Sequence, residues 1–132
     1  MEIVVDASAI LAVIVNEPSK KKLIRLTKGA HLIAPASLQW EIGNALSAML
    51  KRNSINLYQA LQAVEIYSHI PIRSVDVEID EALRIAAESN IYAYDAYMIR
   101  CALRYNARLL SLDKNLLETA RKLGAETMEV EG

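Results

Sequence analysis

Four acids in this chain stand where their neighbours make a carboxylate consequential. Asp6 closes the apolar run Ile3-Val4-Val5, and Asp113 closes Leu109-Leu110-Ser111-Leu112. Glu41 and Asp95 lie in stretches with helical periodicity. Carboxylates brought to one place without His or Cys form an all-oxygen donor set, which favours Mg2+ or Mn2+ over Zn2+. Cations held that way acidify water and neutralise charge on an attacked phosphate, so phosphodiester hydrolysis would need no side-chain nucleophile. Repulsion supplies the physical check. Two carboxylates about 4 Å apart repel by roughly 4 kcal/mol at an effective dielectric near 20, against a native stability of only about 5–15 kcal/mol. A cluster without a cation should therefore raise the pKa of its members.

Each acid also has an ordinary structural role open to it. Asp6 or Ser8 can cap a helix starting near residue 8, and Asp113 can cap one starting at Lys114. Asp95 stands at the expected start of a helix whose inward positions include Ala96, Ile99, Ala102 and Leu103, so capping competes there too. A lone helical Glu41 is usually a solvated surface acid. Against that, Ser37, Glu41, Asn44 and Ala48 recur at offsets of four, three and four and share one helix face. Asn44 is suited to orienting the Glu41 carboxylate. Ser8 beside Asp6, and Ser111 two residues before Asp113, could each hydrogen-bond a carboxylate or a water.

The elements that must position these residues alternate. Residues 2–5 and 31–34 are short strands without polar alternation, as expected for a sheet covered on both faces. Residues 8–15 form an apolar helix broken by Asn16-Glu17-Pro18-Ser19. A basic helix runs from Ser19 to about Lys28 and stops near Gly29. Pro35 should open the next helix, which reaches about Arg52 with Leu38, Ile42, Ala45, Leu46 and Met49 as its apolar stripe. A further amphipathic helix covers 57–69 and carries Leu61, Val64 and Tyr67. Strands at 71–75 and 108–112 and a last edge strand near 126–130 complete the sheet, with helices at about 77–89, 95–105 and 114–123. Alternation at this pace predicts one domain, residues 1–132, built as a three-layer α/β/α sandwich with a mostly parallel central sheet. Open sheets of this class place their sites at the carboxyl ends of strands, where Asp6 and Asp113 fall.

Composition narrows the function classes. Hydrophobic residues make up 53% of the chain, enough for part of the apolar surface to be covered by a partner or a second copy. A formal net charge of -1 gives nucleic acid no broad attraction, so any such contact must be local. The single Cys101 excludes an internal disulfide and a Cys-rich zinc site, and it suits a core position in a reducing compartment. His31 and His69 lack ligand-spaced partners. No leader-like or membrane-spanning run is found, which makes the cytoplasm the expected compartment. G-x-S-x-G and Walker motifs are absent. A haloacid-dehalogenase phosphatase would want a second acid where Ser8 stands, and a receiver domain would want a lysine and an acidic pair that do not convincingly match.

Val4-Val5-Asp6-Ala7-Ser8, Glu41-Ile42-Gly43-Asn44-Ala45-Leu46, Tyr94-Asp95-Ala96-Tyr97 and Leu110-Ser111-Leu112-Asp113 together resemble the PIN-domain nucleases. More narrowly, they resemble the VapC toxins of prokaryotic toxin–antitoxin pairs. The resemblance spans essentially the whole chain. It implies that Asp6, Glu41, Asp95 and Asp113 are a catalytic, metal-ligating quartet, with Ser8, Asn44 and Ser111 in support. It also implies a Mg2+- or Mn2+-dependent endoribonuclease acting on RNA, a homodimer, and an antitoxin protein that occupies the site.

Other surfaces are weighed beside these. Lys20-Lys21-Lys22, Arg25 and Lys28 read first as a solvated helix face and second as an RNA-phosphate contact. Arg100 and Arg104 share a face after Asp95 and are candidate RNA contacts. Tyr92, Tyr94 and Tyr97 could stack on bases, with core or dimer packing as the competing expectation. Trp40 is expected to be a packing residue. The alternatives to a toxin nuclease are a non-catalytic protein-binding module on the same fold and an RNA-processing nuclease without an antitoxin.

Overall fold

The computed structural model describes residues 1–130. Its elements run β1 (Glu2–Val5), α1 (Ala7–Ile14), α2 (Lys20–Thr27), β2 (His31–Pro35), α3 (Leu38–Lys51), α4 (Leu57–Ser68), β3 (Ile72–Val75), α5 (Ile79–Ser89), α6 (Ala93–Tyr105), β4 (Arg108–Ser111), α7 (Lys114–Lys122) and β5 (Thr127–Glu129). The strands form one parallel sheet in the order β3-β2-β1-β4-β5. Ile3, Val4 and Val5 of β1 are buried, as are Leu109 and Leu110 of β4, which explains why neither strand alternates with polar residues.

The order of the strands fixes the layers. The chain steps from β1 to β2 to β3 in one direction, then crosses back to β4 and steps outward to β5. Right-handed crossovers put the helices of these two halves on opposite faces. Accordingly α1 packs with α2, α3 and α4, while α5 packs on α6, and α6 lies across β1, β2 and β4. The reversal falls between β1 and β4, paired through Val5 and Leu110, so the carboxyl ends of these strands open a crevice at the centre of the sheet. Asp6 and Asp113 follow those two ends.

Three expectations need correction. Pro35 does not open a helix: it is the last residue of β2, paired with Val75, and α3 begins at Leu38. The helix carrying Asp95 begins at Ala93, two residues earlier than expected. In α4 the buried residues are Ala60 and Ala63, while Leu61 is 59% exposed and Val64 and Leu57 are exposed beside it. The small side chains let α4 lie close to α1, and the larger ones face outward. Helix ends follow local chemistry: Asn56 and Gln59 form a capping box on α4. Gly29 takes a φ of +78 after α2, and Asn90 and Asn106 end α5 and α6 in the left-handed region.

Candidate active site

Asp6 is the centre of the site. The residue is 6% exposed, and both carboxyl oxygens accept hydrogen bonds. Oδ1 accepts from the Ala9 backbone N–H at 3.0 Å, capping α1, and from the Ser8 hydroxyl at 2.7 Å. Oδ2 accepts from the Ser111 hydroxyl at 2.5 Å. The two serines in turn accept from backbone N–H groups of the turn after β4. Leu112 N–H donates to Ser8 Oγ at 3.0 Å, and Asp113 N–H donates to Ser111 Oγ at 2.9 Å. A hydroxyl has one proton to donate, and both go to Asp6, so the 3.3 Å Ser8–Ser111 contact is incidental. This relay fixes the Asp6 carboxyl in one orientation and ties the end of β1 to the turn after β4.

Asp113 is a cap, and it remains available for more. Its Oδ1 accepts from the N–H groups of Asn115 at 3.0 Å and Leu116 at 3.2 Å. Oδ2 takes no bond and the residue is exposed. Asp95 is not a cap. Tyr92 holds the N-cap position of α6, and the Asp95 carboxyl, half-buried, receives no hydrogen bond among the described residues. Glu41, in the first turn of α3, takes one bond, from the Ser37 hydroxyl to Oε2 at 3.3 Å. Asn44 is exposed and makes no side-chain bond to Glu41. The residue that orients Glu41 is therefore Ser37, one turn before it, and the i, i+4 spacing of the two was the signal for it.

The electrostatics join what the hydrogen bonds leave apart. Burial pushes the Asp6 carboxyl above its ordinary range against the pull of Ser111, Ser8 and Ala9, and Asp113 adds to the rise. Burial raises Glu41 to about 7, opposed by Ser37 and reinforced by Asp6 and Asp95. Asp95 is raised by burial first and then by Asp113 and Asp6, so its place at a helix N-terminus does not offset its surroundings. Each of the four acids is thus coupled through its charge to at least one of the others. Among the described residues, no three His, Cys, Asp or Glu side chains stand close enough to enclose a metal ion. The oxygen-only donor set still fits Mg2+, which keeps several waters and commonly takes only one or two direct carboxylates.

The PIN domain family model matches residues 3–122. The chain belongs to the PIN domain family. It is 27% identical over 123 residues to Ribonuclease VapC3 of Pyrobaculum aerophilum, covering 89% of this chain and 94% of that protein. Among solved structures, it is similar to PAE2754 from Pyrobaculum aerophilum, with a TM-score of 0.73 and 25% identity over 96% of this chain and 83% of the other. A structure of VapBC2 from Rickettsia felis bound to a promoter DNA fragment shares the fold, with a TM-score of 0.71 and 14% identity over 99% of this chain and 100% of the other.

The arginines suggested as RNA contacts are engaged within the chain. Arg100 Nε donates to Glu78 Oε1 at 3.2 Å, and Arg104 Nη1 donates to the Asp76 carbonyl at 3.0 Å and lies 3.6 Å from Glu78. The Arg104 guanidinium also covers the Tyr105 ring. Together they fasten the loop before α5 to α6. Trp40 is not a packing residue in this chain, being 67% exposed. No helix among the described residues is long and apolar enough to cross a membrane.

Proposed function

We propose that this chain is a Mg2+- or Mn2+-dependent endoribonuclease and the toxin half of a toxin–antitoxin pair. The observation that supports the reading is the electrostatic coupling among Asp6, Glu41, Asp95 and Asp113, three of them raised first by burial and then by the charge of others in the set. A divalent cation relieves that strain and restores the ionised forms. Asp6, Glu41 and Asp95, with Oδ2 of Asp113, would hold it, directly or through water. When bound, it would polarise the phosphate and lower the pKa of a water near the phosphorus. The chain's own part is positional. Ser8 and Ser111 hold Asp6 still, Ser37 steadies Glu41, and the turn after β4 presents Asp113. Asp95 receives no hydrogen bond among the described residues, so a cation would supply the partner its carboxylate lacks.

The toxin assignment draws on the similarity to Ribonuclease VapC3 over 89% of this chain. Partner surfaces, for an antitoxin and for a second copy in a homodimer, are supported by the exposed apolar residues Leu57, Leu61 and Val64 of α4. The test is cleavage of single-stranded RNA by the purified protein with Mg2+ or Mn2+, with EDTA, and with Asp6→Asn or Asp95→Asn. Cleavage that requires the metal and is lost in both folded variants is expected. Cleavage that persists in EDTA or in both variants, or none with either metal, overturns the reading.

A further inference from the structure

We propose that the groove beside Glu41 is a nucleobase subsite for single-stranded RNA, with Trp40 as its stacking platform; the proposal rests on the ribonuclease reading above. The groove, ≈ 330 Å³, lies between the start of α3, the end of β3 and α6, and its walls include Ser37, Trp40, Val75, Val77, Ile79 and Tyr97. That is the small end of the range of about 300–1,000 Å³ for small-molecule sites, the scale of a nucleotide rather than a protein segment.

Position makes the assignment. Ser37 belongs to both places: it lines the groove and its hydroxyl donates to Glu41. Trp40 follows Ser37 by three residues on α3, so the two lie on one side of the helix. Tyr97, on the far wall, belongs to α6, the helix that carries Asp95. The groove is thus bounded by the same two helices that deliver Glu41 and Asp95, and through the shared Ser37 it adjoins the Glu41 carboxyl, where a base flanking a bound phosphate would be received.

Its chemistry suits a base face more than a base edge. The apolar walls and the Trp40 indole, exposed in the free chain, offer flat contact, and Tyr94 extends it, its ring meeting Tyr97 edge-on at 6.2 Å. Polar partners are few, the Ser37 hydroxyl and Asp76 among them. Stacking of this kind tolerates any base, and it needs a base free of its neighbours, which a duplex does not provide.

Trp40 is the single tryptophan of the chain, so its fluorescence reports on this groove alone. In EDTA, a short mixed-sequence single-stranded RNA should quench that emission, and the same strand annealed to its complement should quench it much less. In cleavage assays with Mg2+, Trp40→Ala should raise KM about tenfold or more with kcat nearly unchanged, and Trp40→Phe should recover most of the loss. Absence of quenching, an unchanged KM in Trp40→Ala, or conversion of an oligomer to monomers by that substitution would each overturn the subsite. Quenching without cleavage under any metal would retain the subsite and reject the nuclease, whereas cleavage without quenching would do the reverse.

Discussion

Replacing Glu41 by Gln should stabilise the metal-free protein by an amount that grows as pH rises from 4.5 and is complete above about 7. The carboxyl is raised from 4.5 to about 7. Below the lower value, folded and unfolded chains both carry a protonated Glu41 and the site is at ease. As pH rises through this window, the unfolded chain ionises first and the native state binds the extra proton, so stability falls. Above about 7 the full penalty applies. At ~1.4 kcal/mol per tenfold change in proton affinity, the gap sets a ceiling of about 3 kcal/mol. Glu41 is only partly buried, and screening by water reduces the expected effect to about 1–2 kcal/mol. Gln keeps an oxygen to accept from Ser37 and never ionises. Urea unfolding in EDTA should show Glu41→Gln and the natural chain nearly equal at pH 4, and the variant more stable by that amount at pH 8. Millimolar Mg2+ should narrow the difference at pH 8 by stabilising only the natural chain appreciably. A stability difference independent of pH, or a variant less stable at pH 8, would refute the account of a Glu41 carboxyl raised by burial and by the charges of Asp6 and Asp95.

The remaining predictions test the frame around the acids. Ser111→Ala removes the donor to Asp6 Oδ2 and the acceptor for Asp113 N–H, so it should cost about 1–3 kcal/mol in urea unfolding and slow cleavage as well. Leu117→Ala, in the closed core, should cost about 2–5 kcal/mol in guanidinium unfolding, whereas Leu61→Ala on the outer side of α4 should stay within ~0.5 kcal/mol; equal losses would show that α4 packs through Leu61 after all. Cys101 is buried and its thiol is pushed up to about 12, so a disulfide-exchange reagent at pH 8 should label it only after denaturation.

The sequence by itself determined what depends on periodicity and on chemistry between near neighbours. An unbroken apolar run predicts a strand covered on both faces, and Ile3-Val4-Val5 of β1 is buried as that run requires. Asp6 and Asp113 could be read as caps from their place before a helix, and both cap. The i, i+4 spacing put Ser37 beside Glu41. Tertiary structure decided the rest. That Asp6 and Ser111, 105 residues apart, share a hydrogen bond follows from the sheet reversing direction between β1 and β4, which no local pattern encodes. That Leu61 and Val64 face outward while Ala60 and Ala63 face inward depends on how closely α4 approaches α1, and hydrophobicity alone favours the opposite assignment. The same holds for Trp40, whose type suggests a core residue and whose position on α3 leaves it beside the acids, in contact with solvent. That Arg100 and Arg104 pair with Glu78 was likewise set by the loop that brings Glu78 against α6.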